Sequence, residues 1–195
     1  MIMYMSEEIY RDIIAVTNRH LCGCSLPRQL EKVCRGRPQA VLLREKDLSE
    51  TEYALLAGEI TAICRTYDVP CILHTFINTA RKLQCPAIHL PLHLLREHQD
   101  ELNAFDVIGT SIHSLEEALE ARLLGATYLT AGHIYATDCK KGMPPCGLEF
   151  LHEICINTPL PVYAIGGIKL DKQQLDEIRQ AGAKGACIMS GMMTL

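Results

Sequence analysis

Gly132, His133, Thr137 and Lys140 fall within nine residues of one another, just after the apolar run Leu129-Thr130-Ala131. A histidine there supplies a group that both takes and gives a proton near neutrality. Thr137 offers a hydroxyl donor and Lys140 a fixed cation, a combination that suits an anionic substrate group. Gly132 removes a side chain where the chain leaves the strand, so backbone or ligand can approach closely. The same residues equally describe a polar loop with a hydrogen-bonded histidine. A second cluster is Arg44-Glu45-Lys46-Asp47, directly after Ala40-Val41-Leu42-Leu43. On a strand end, residues 44 and 46 point to one side and one anion meets both; the alternative is four solvated charges of alternating sign. Gly166-Gly167 and Ser190-Gly191 follow two later apolar runs. Such turns expose backbone N–H groups that cradle phosphate, or simply require positive φ. Ser111 and His113 follow another run, where His113 serves either a substrate or the turn. His74 and His89 read as pocket lining or satisfied core histidines, and Cys139 has no base shown beside it.

The elements that must position these residues are short and regular. Apolar runs at Ile13–Val16, Ala40–Leu43, Cys71–Leu73, Pro86–Leu90, Asp106–Ser111, Thr127–Ala131, Pro161–Ile165 and Gly185–Met189 read as eight strands. Helical patterns separate them: Leu26–Cys34, a helix capped by Ser49 and Glu52, one around Ile77–Leu83, Leu92–Leu102, one opened by a second capping box at Ser114 and Glu117, Gly147–Cys155 and Leu170–Ala181. Strands that are apolar throughout are buried on both faces, which is the mark of a parallel sheet. Eight such βα steps predict an α/β fold, a compact (β/α)8 TIM barrel, with the eighth helix short or missing after Met192. A doubly wound sheet is the alternative, but no glycine fingerprint follows the first strand. In a barrel of this kind the site lies at the C-terminal strand ends, and turns after strands seven and eight are its usual phosphate site.

The length of 195 residues fits a single domain over 1–195. Net charge is −4 with no basic run, which argues against nucleic acid as the main partner. No apolar run approaches the roughly 20 residues of a membrane span. The N-terminus, with Glu7 and Glu8, lacks an export-signal pattern, so a cytoplasmic location is expected. Ten cysteines are scattered through apolar segments and are expected to be reduced; only Cys22-Gly23-Cys24 is a close pair, and it lacks a second pair at zinc spacing. The apolar Met192-Met193 stub suggests an uncovered flank and predicts a homodimer.

Several of these segments, taken together and in order, resemble the thiamin phosphate synthase/TenI superfamily. They are Leu43-Arg44-Glu45-Lys46-Asp47, Gly109-Thr110-Ser111-Ile112-His113-Ser114 with Glu116-Glu117-Ala118, the stretch 132–142, Ala164-Ile165-Gly166-Gly167-Ile168 and Ala181-Gly182-Ala183. The resemblance runs from about Ile13 to Ser190. It implies one of two activities on a small-molecule thiazole phosphate. Synthases join hydroxymethylpyrimidine diphosphate to the thiazole phosphate and need Mg²⁺; TenI-type proteins are thiazole tautomerases that move protons without a metal. Where the resemblance implies an Asn-Asp pair and a second aspartate for magnesium, this chain has Asn78-Thr79 and Pro91-Leu92-His93-Leu94, and Leu42 stands in place of a pyrimidine-contacting glutamine. Magnesium wants carboxylate oxygens. Gly132-His133 also stands where synthases usually have Gly-Pro.

The expectation is therefore a tautomerase, an isomerase of thiamin biosynthesis with no cofactor, in which His133 is the general acid/base. Arg44, Lys46, Ser111, His113, Thr137 and Lys140 are expected to bind substrate, and Gly166, Gly167, Ser190 and Gly191 to bind phosphate, with no metal ligand. The alternatives are a magnesium-dependent synthase and a non-catalytic regulator that senses a phosphorylated ligand.

Overall fold

The computed structural model describes residues 9–137 and 142–195. Strands β1 (Ile13–Val16), β2 (Ala40–Leu43), β3 (Cys71–His74), β4 (Ala87–Pro91), β5 (Val107–Ile112), β6 (Tyr128–Gly132), β7 (Val162–Ile165) and β8 (Gly185–Ile188) are parallel and follow one another in sequence order around a closed barrel. Every residue of β1, β2 and β8 is buried, as strands covered on both faces require. Between them lie α1 (Leu26–Arg35), α2 (Glu50–Thr66), α3 (Ile77–Lys82), α4 (Leu92–Glu97), α5 (Leu115–Leu123), α6 (Gly147–Asn157) and α7 (Lys172–Gln180), with α8 (Ser190–Met193) a single turn. The expected barrel with a reduced eighth helix is what the chain adopts. Among the described residues, no helix is long and apolar enough to cross a membrane.

Local chemistry explains where the helices start. Ser49 accepts from the Glu52 N–H and the Glu52 carboxylate accepts from the Ser49 N–H, closing the expected capping box of α2. Tyr53, Ala57, Ile60 and Cys64 then recur at helical spacing and are buried on one face. At α5 the box is only half formed. Ser114 accepts from the Glu117 N–H, but the Glu117 carboxylate reaches one residue further back, to the His113 N–H at 2.6 Å. The expected helix Leu92–Leu102 is also corrected. It stops at Glu97, because His98 takes a non-helical conformation (φ −116°, ψ 25°) and places its ring Nδ1 2.8 Å from the Glu101 carboxylate; a 3₁₀ segment, Gln99–Ala104, follows.

The chain forms two compact units, residues up to Ile88 together with Ile188–Leu195, and His89–Cys187. In the first, β1 pairs with β2 (Val16 opposite Leu42) and β2 with β3 (Leu43 opposite Leu73). The buried amide of Gln29 on α1 donates to the Met192 carbonyl at 2.9 Å, and Met192 and Met193 are fully buried. The methionine stub is thus buried inside this unit. Cys22 and Cys24 are free thiols facing Asn18 and Met193, and Gln29. In the second unit, β5 pairs with β6 (Ile112 opposite Ala131), β6 with β7 (Gly132 opposite Ile165) and β7 with β8 (Ile165 opposite Cys187).

Candidate functional site

In the first unit, the ends of β1 and β2 sort the charges of the Arg44–Asp47 run. The Thr17 hydroxyl accepts the Arg44 N–H at 2.9 Å. Two residues on, the Arg19 N–H and its guanidinium both donate to the buried Glu45 carboxylate, at 3.1–3.2 Å. The same guanidinium forks onto Asp47 through two bonds of 2.6 Å, and the His20 ring lies 2.9 Å from Asp47. Arg19 and His20 hold the Asp47 carboxyl well below the usual carboxylate range. The acidic half of the run is therefore turned onto Arg19 and His20. On the other half, the Arg44 guanidinium pulls the Lys46 ammonium below its ordinary value, with partial burial adding to the effect. Arg44 and Lys46 both follow the strand, in coil and turn.

Tyr53 of α2 ties β2 to β3. Its hydroxyl donates to the Leu43 carbonyl at 2.7 Å and accepts from the His74 N–H at 2.8 Å, with the phenol fully buried. The His74 ring meets the Thr75 hydroxyl at 2.6 Å, so it is a satisfied interior histidine. Just beyond, Asn78 is exposed and Thr79 is buried, with the Thr79 hydroxyl donating to Glu50 at 3.1 Å. Where the resemblance implies a magnesium carboxylate, a hydroxyl is already committed to a glutamate. After β4, Leu92 is buried and His93 exposed. Among the described residues, no group of three or more His, Cys, Asp or Glu side chains is placed to hold a metal ion. At this implied position Thr79 offers magnesium no carboxylate. Ser190 is exposed and Gly191 half-buried, both in the one-turn α8.

In the second unit, β6 and β7 run unusually close. A Cβ on Gly132 would lie 2.1 Å from the Ile165 carbonyl oxygen, which is why glycine ends β6. The cis peptide Gly132–His133 follows. His133 is buried, only 4% exposed. Its carbonyl accepts from the Cys146 N–H at 2.9 Å, and its Nε2 faces the Met143 carbonyl at 3.4 Å. Segment 142–147 encloses it. His113 is exposed and donates from Nδ1 to the Gly132 carbonyl at 2.5 Å, since a carbonyl only accepts. His113 thus braces the start of the His133 segment.

The glycine pair after β7 has a packing reason. Gly166 (φ 95°) and Gly167 (φ 71°) both lie in the left-handed region. A Cβ on Gly166 would meet the His133 Cβ at 2.3 Å, and one on Gly167 would meet the carbonyls of Tyr135 and Ala136 at 2.5 Å. The turn does not open directly onto a helix either. Residues 168–171 intervene before α7, whose N-terminus is capped by its own Asp171. Thr137 is half-buried. Lys140, and with it Asp138 and Cys139, lies outside the described residues.

Ser111 belongs to an interior network that the sequence did not suggest. Its hydroxyl accepts from Thr130 at 2.9 Å and lies 3.0 Å from His89 Nε2; His89 Nδ1 lies 2.9 Å from the Tyr128 hydroxyl. Tyr128 is seated there because Gly109 opposite it has no side chain: a Cβ would lie 2.1 Å from the ring. A lone glycine inside a strand was the available signal of that close approach.

With this geometry in view, comparisons with known proteins are informative. The sequence profile of thiamine monophosphate synthase, TMP-TENI, matches residues 13–192. The chain is 33% identical over 195 residues to a thiamine-phosphate synthase of Clostridium acetobutylicum, covering 97% of this chain and 90% of the relative. It is 34% identical over 185 residues to a thiamine-phosphate synthase of Syntrophomonas wolfei, covering 91% and 86%. Its structure resembles a thiamine phosphate pyrophosphorylase of Pyrococcus furiosus, with a TM-score of 0.78, 27% identity, and coverage of 96% and 89%. These findings correct the expected tautomerase and the isomerase class. The relatives carry a synthase name, which denotes a transferase, and the similarity spans the whole chain, whereas the tautomerase expectation leaned on three short departures and on Gly132-His133. A match over residues 13–192 and relatives above 30% identity along nearly their full length place this chain in the thiamine monophosphate synthase (TMP-TENI) family.

Proposed function

We propose that the chain is a transferase of thiamin biosynthesis that joins hydroxymethylpyrimidine diphosphate to a thiazole phosphate. The observation that carries this reading is the charged run after β2, in which Arg44 and Lys46 follow the strand while the carboxylates Glu45 and Asp47 are held by Arg19. The chemistry needs such a pair. The thiazole ring nitrogen attacks the exocyclic methylene of the pyrimidine, the carbon–oxygen bond to the diphosphate breaks, and inorganic pyrophosphate leaves with the electron pair. Charge develops on the departing oxygen, and preorganised cations stabilise it more in the transition state than in the ground state. The nitrogen attacks through its lone pair, so no proton is transferred and no general base is required. An enclosed His133 suits that demand: it walls the segment that Gly166 and Gly167 pack against. For the thiazole phosphate, the backbone N–H groups of Ser190 and Gly191, in the same unit as Arg44 and Lys46, are the candidates.

The test is a coupling assay on the purified chain with both substrates, in magnesium and separately in chelator, following product and inorganic pyrophosphate together. Equal amounts of both are expected, and Arg44→Met should lower kcat by about 10²–10³-fold, the usual effect of deleting one such stabilising group. A folded protein that forms no product under either condition refutes the reading.

A further inference from the structure

We propose that Cys22, Cys24 and Met193 form a three-sulfur site for a soft monovalent metal ion, Cu(I). The site lies within the first unit and does not depend on the transferase reading. Cys22 ends the 3₁₀ turn Arg19–Leu21, and a bend at Gly23 and Cys24 leads the chain into α1. Cysteines two apart have Cα atoms at most about 7 Å from each other, within the span of one ion. The Cys22 Sγ lies 3.8 Å from the Sδ of the buried Met193 on α8. Two sulfurs bonded to one ion at about 2.3 Å each, at a tetrahedral or trigonal angle, lie roughly 3.8–4.0 Å apart. Cys22 and Met193 therefore already stand at ligand spacing. Cys24 reaches the same helix through Gln29: its thiol donates to Gln29 Oε1 at 3.7 Å, and the Gln29 amide donates to the Met192 carbonyl at 2.9 Å. Burial first and Cys24 second push the Cys22 thiol above its ordinary value, so the two cysteines lie within electrostatic reach of each other. A coordinated metal overrides that preference and takes each thiol as thiolate. Binding thus releases two protons, one per cysteine, while Met193 gives a lone pair and no proton. The one excess negative charge that results falls beside Lys32, whose ammonium lies 3.5 Å from the same Gln29 oxygen that receives Cys24. Two thiolates and a thioether are a soft donor set, which selects Cu(I). A structural zinc ion asks for a fourth ligand, and among the described residues no group of three His, Cys, Asp or Glu is gathered to hold one. Both cysteines are half-buried, which gives the ion a way in, and the buried Met193 forms the floor.

The experiment titrates the full chain with Cu(I) under anaerobic conditions, in competition with the chelator bicinchoninate, for wild type, Met193→Leu and Cys22→Ser with Cys24→Ser. Wild type should take one ion from the chelator and show a thiolate-to-metal charge-transfer band in the near ultraviolet. The double variant should lose that ion to the chelator. Met193→Leu, a volume-conserving change, should bind at least about tenfold more weakly, the lower bound for a residue that merely supports a metal ligand. Ten cysteines less these two leave eight in the double variant. A double variant with the affinity of wild type therefore means that other cysteines hold the ion, and it overturns the proposal, as does a wild type that takes no ion. A Met193→Leu affinity equal to wild type removes the third ligand and overturns the three-sulfur site. If Met193→Leu does not fold, X-ray absorption at the copper edge of the wild-type complex decides: three sulfur neighbours are expected, and any other number overturns the assignment. Zinc at equal concentration should leave the ion in place, and displacement by zinc refutes the choice of a soft ion. Thermal unfolding gives an independent signal, because an ion bound only by the folded chain stabilises it by mass action. Cu(I) should raise the Tm of wild type and leave that of the double variant unchanged; equal shifts in the two contradict the site.

Discussion

Replacing Tyr53 by phenylalanine deletes one oxygen atom, and that atom holds two strand ends. The hydroxyl donates to the Leu43 carbonyl at 2.7 Å and accepts from the His74 N–H at 2.8 Å. Tyr53 and Leu43 are fully buried and His74 is 7% exposed, so water cannot replace the lost partner. Depriving a buried backbone group of its hydrogen bond costs about 1–3 kcal/mol. Two groups are affected, and the relief of no longer burying a hydroxyl offsets part of the loss, which gives a net destabilisation of about 2–4 kcal/mol. For a chain of this size, each kcal/mol lowers Tm by about 2–4 °C, so a fall of about 5–15 °C is expected. Thermal and urea unfolding followed by circular dichroism measure it, with Tyr53→Leu reporting the additional loss of ring packing against Phe76, 4.8 Å away between centroids. A Tm within about 2 °C of wild type refutes the bridging role, because it means that both backbone groups found other partners at no cost.

Gly132→Ala should abolish soluble expression or lower stability by more than about 3 kcal/mol, since the new methyl meets backbone at 2.1 Å; Gly58→Ala, with nothing within 4 Å inside α2, should stabilise by up to about 1 kcal/mol, and thermal melts of the two compare them directly. Ser111→Ala strands the Thr130 hydroxyl and should cost about 1–3 kcal/mol in urea unfolding; an unchanged midpoint contradicts the network. Asp47 has a depressed folded-state pKa, so its contribution to stability is present above the ordinary aspartate value of about 3.9 and is lost only as pH falls through the lower native value. A carbon-13 NMR titration should find its carboxyl titrating below that ordinary value, and a midpoint near it would show that the grip of Arg19 and His20 is absent in solution.

The strands were legible because each is a short apolar run buried on both faces, and Ser49 with Glu52 announces α2 by side-chain chemistry alone. The failures have physical causes too. Apolar spacing continued past His98, but the histidine ring found Glu101 and ended α4. Glu117 had the capping-box spacing, yet the exposed His113 N–H offered its carboxylate a better partner than the Ser114 N–H. The functional error came from weighing Asn78-Thr79 and Gly132-His133 as decisive. Each is a local substitution, and the likeness of the whole chain to synthases outweighs them.

What sequence reading could not supply at the site was register, and register accounts for three of the contacts it missed. β1 and β2 pair with Val16 opposite Leu42; three further steps along each chain bring Arg19 opposite Glu45, where the two are bonded. β5 and β6 pair with Ile112 opposite Ala131; one step further puts His113 opposite Gly132, and Nδ1 of the histidine donates to that glycine's carbonyl. β6 and β7 pair with Gly132 opposite Ile165; one step further puts His133 opposite Gly166, where only a missing side chain lets the two backbones pass. Each pair is separated by 19 to 33 residues in sequence, too far for helical or hairpin spacing to reveal. Once the strands are paired, the contacts follow by counting, because parallel strands leave the sheet in step and carry their neighbours' loops with them. The Arg19 clamp is therefore a consequence of strand pairing. A one-residue slip between β1 and β2 would set Arg19 against Arg44 or Lys46 in place of Glu45, and the buried Glu45 carboxylate would lose the bonds that hold it.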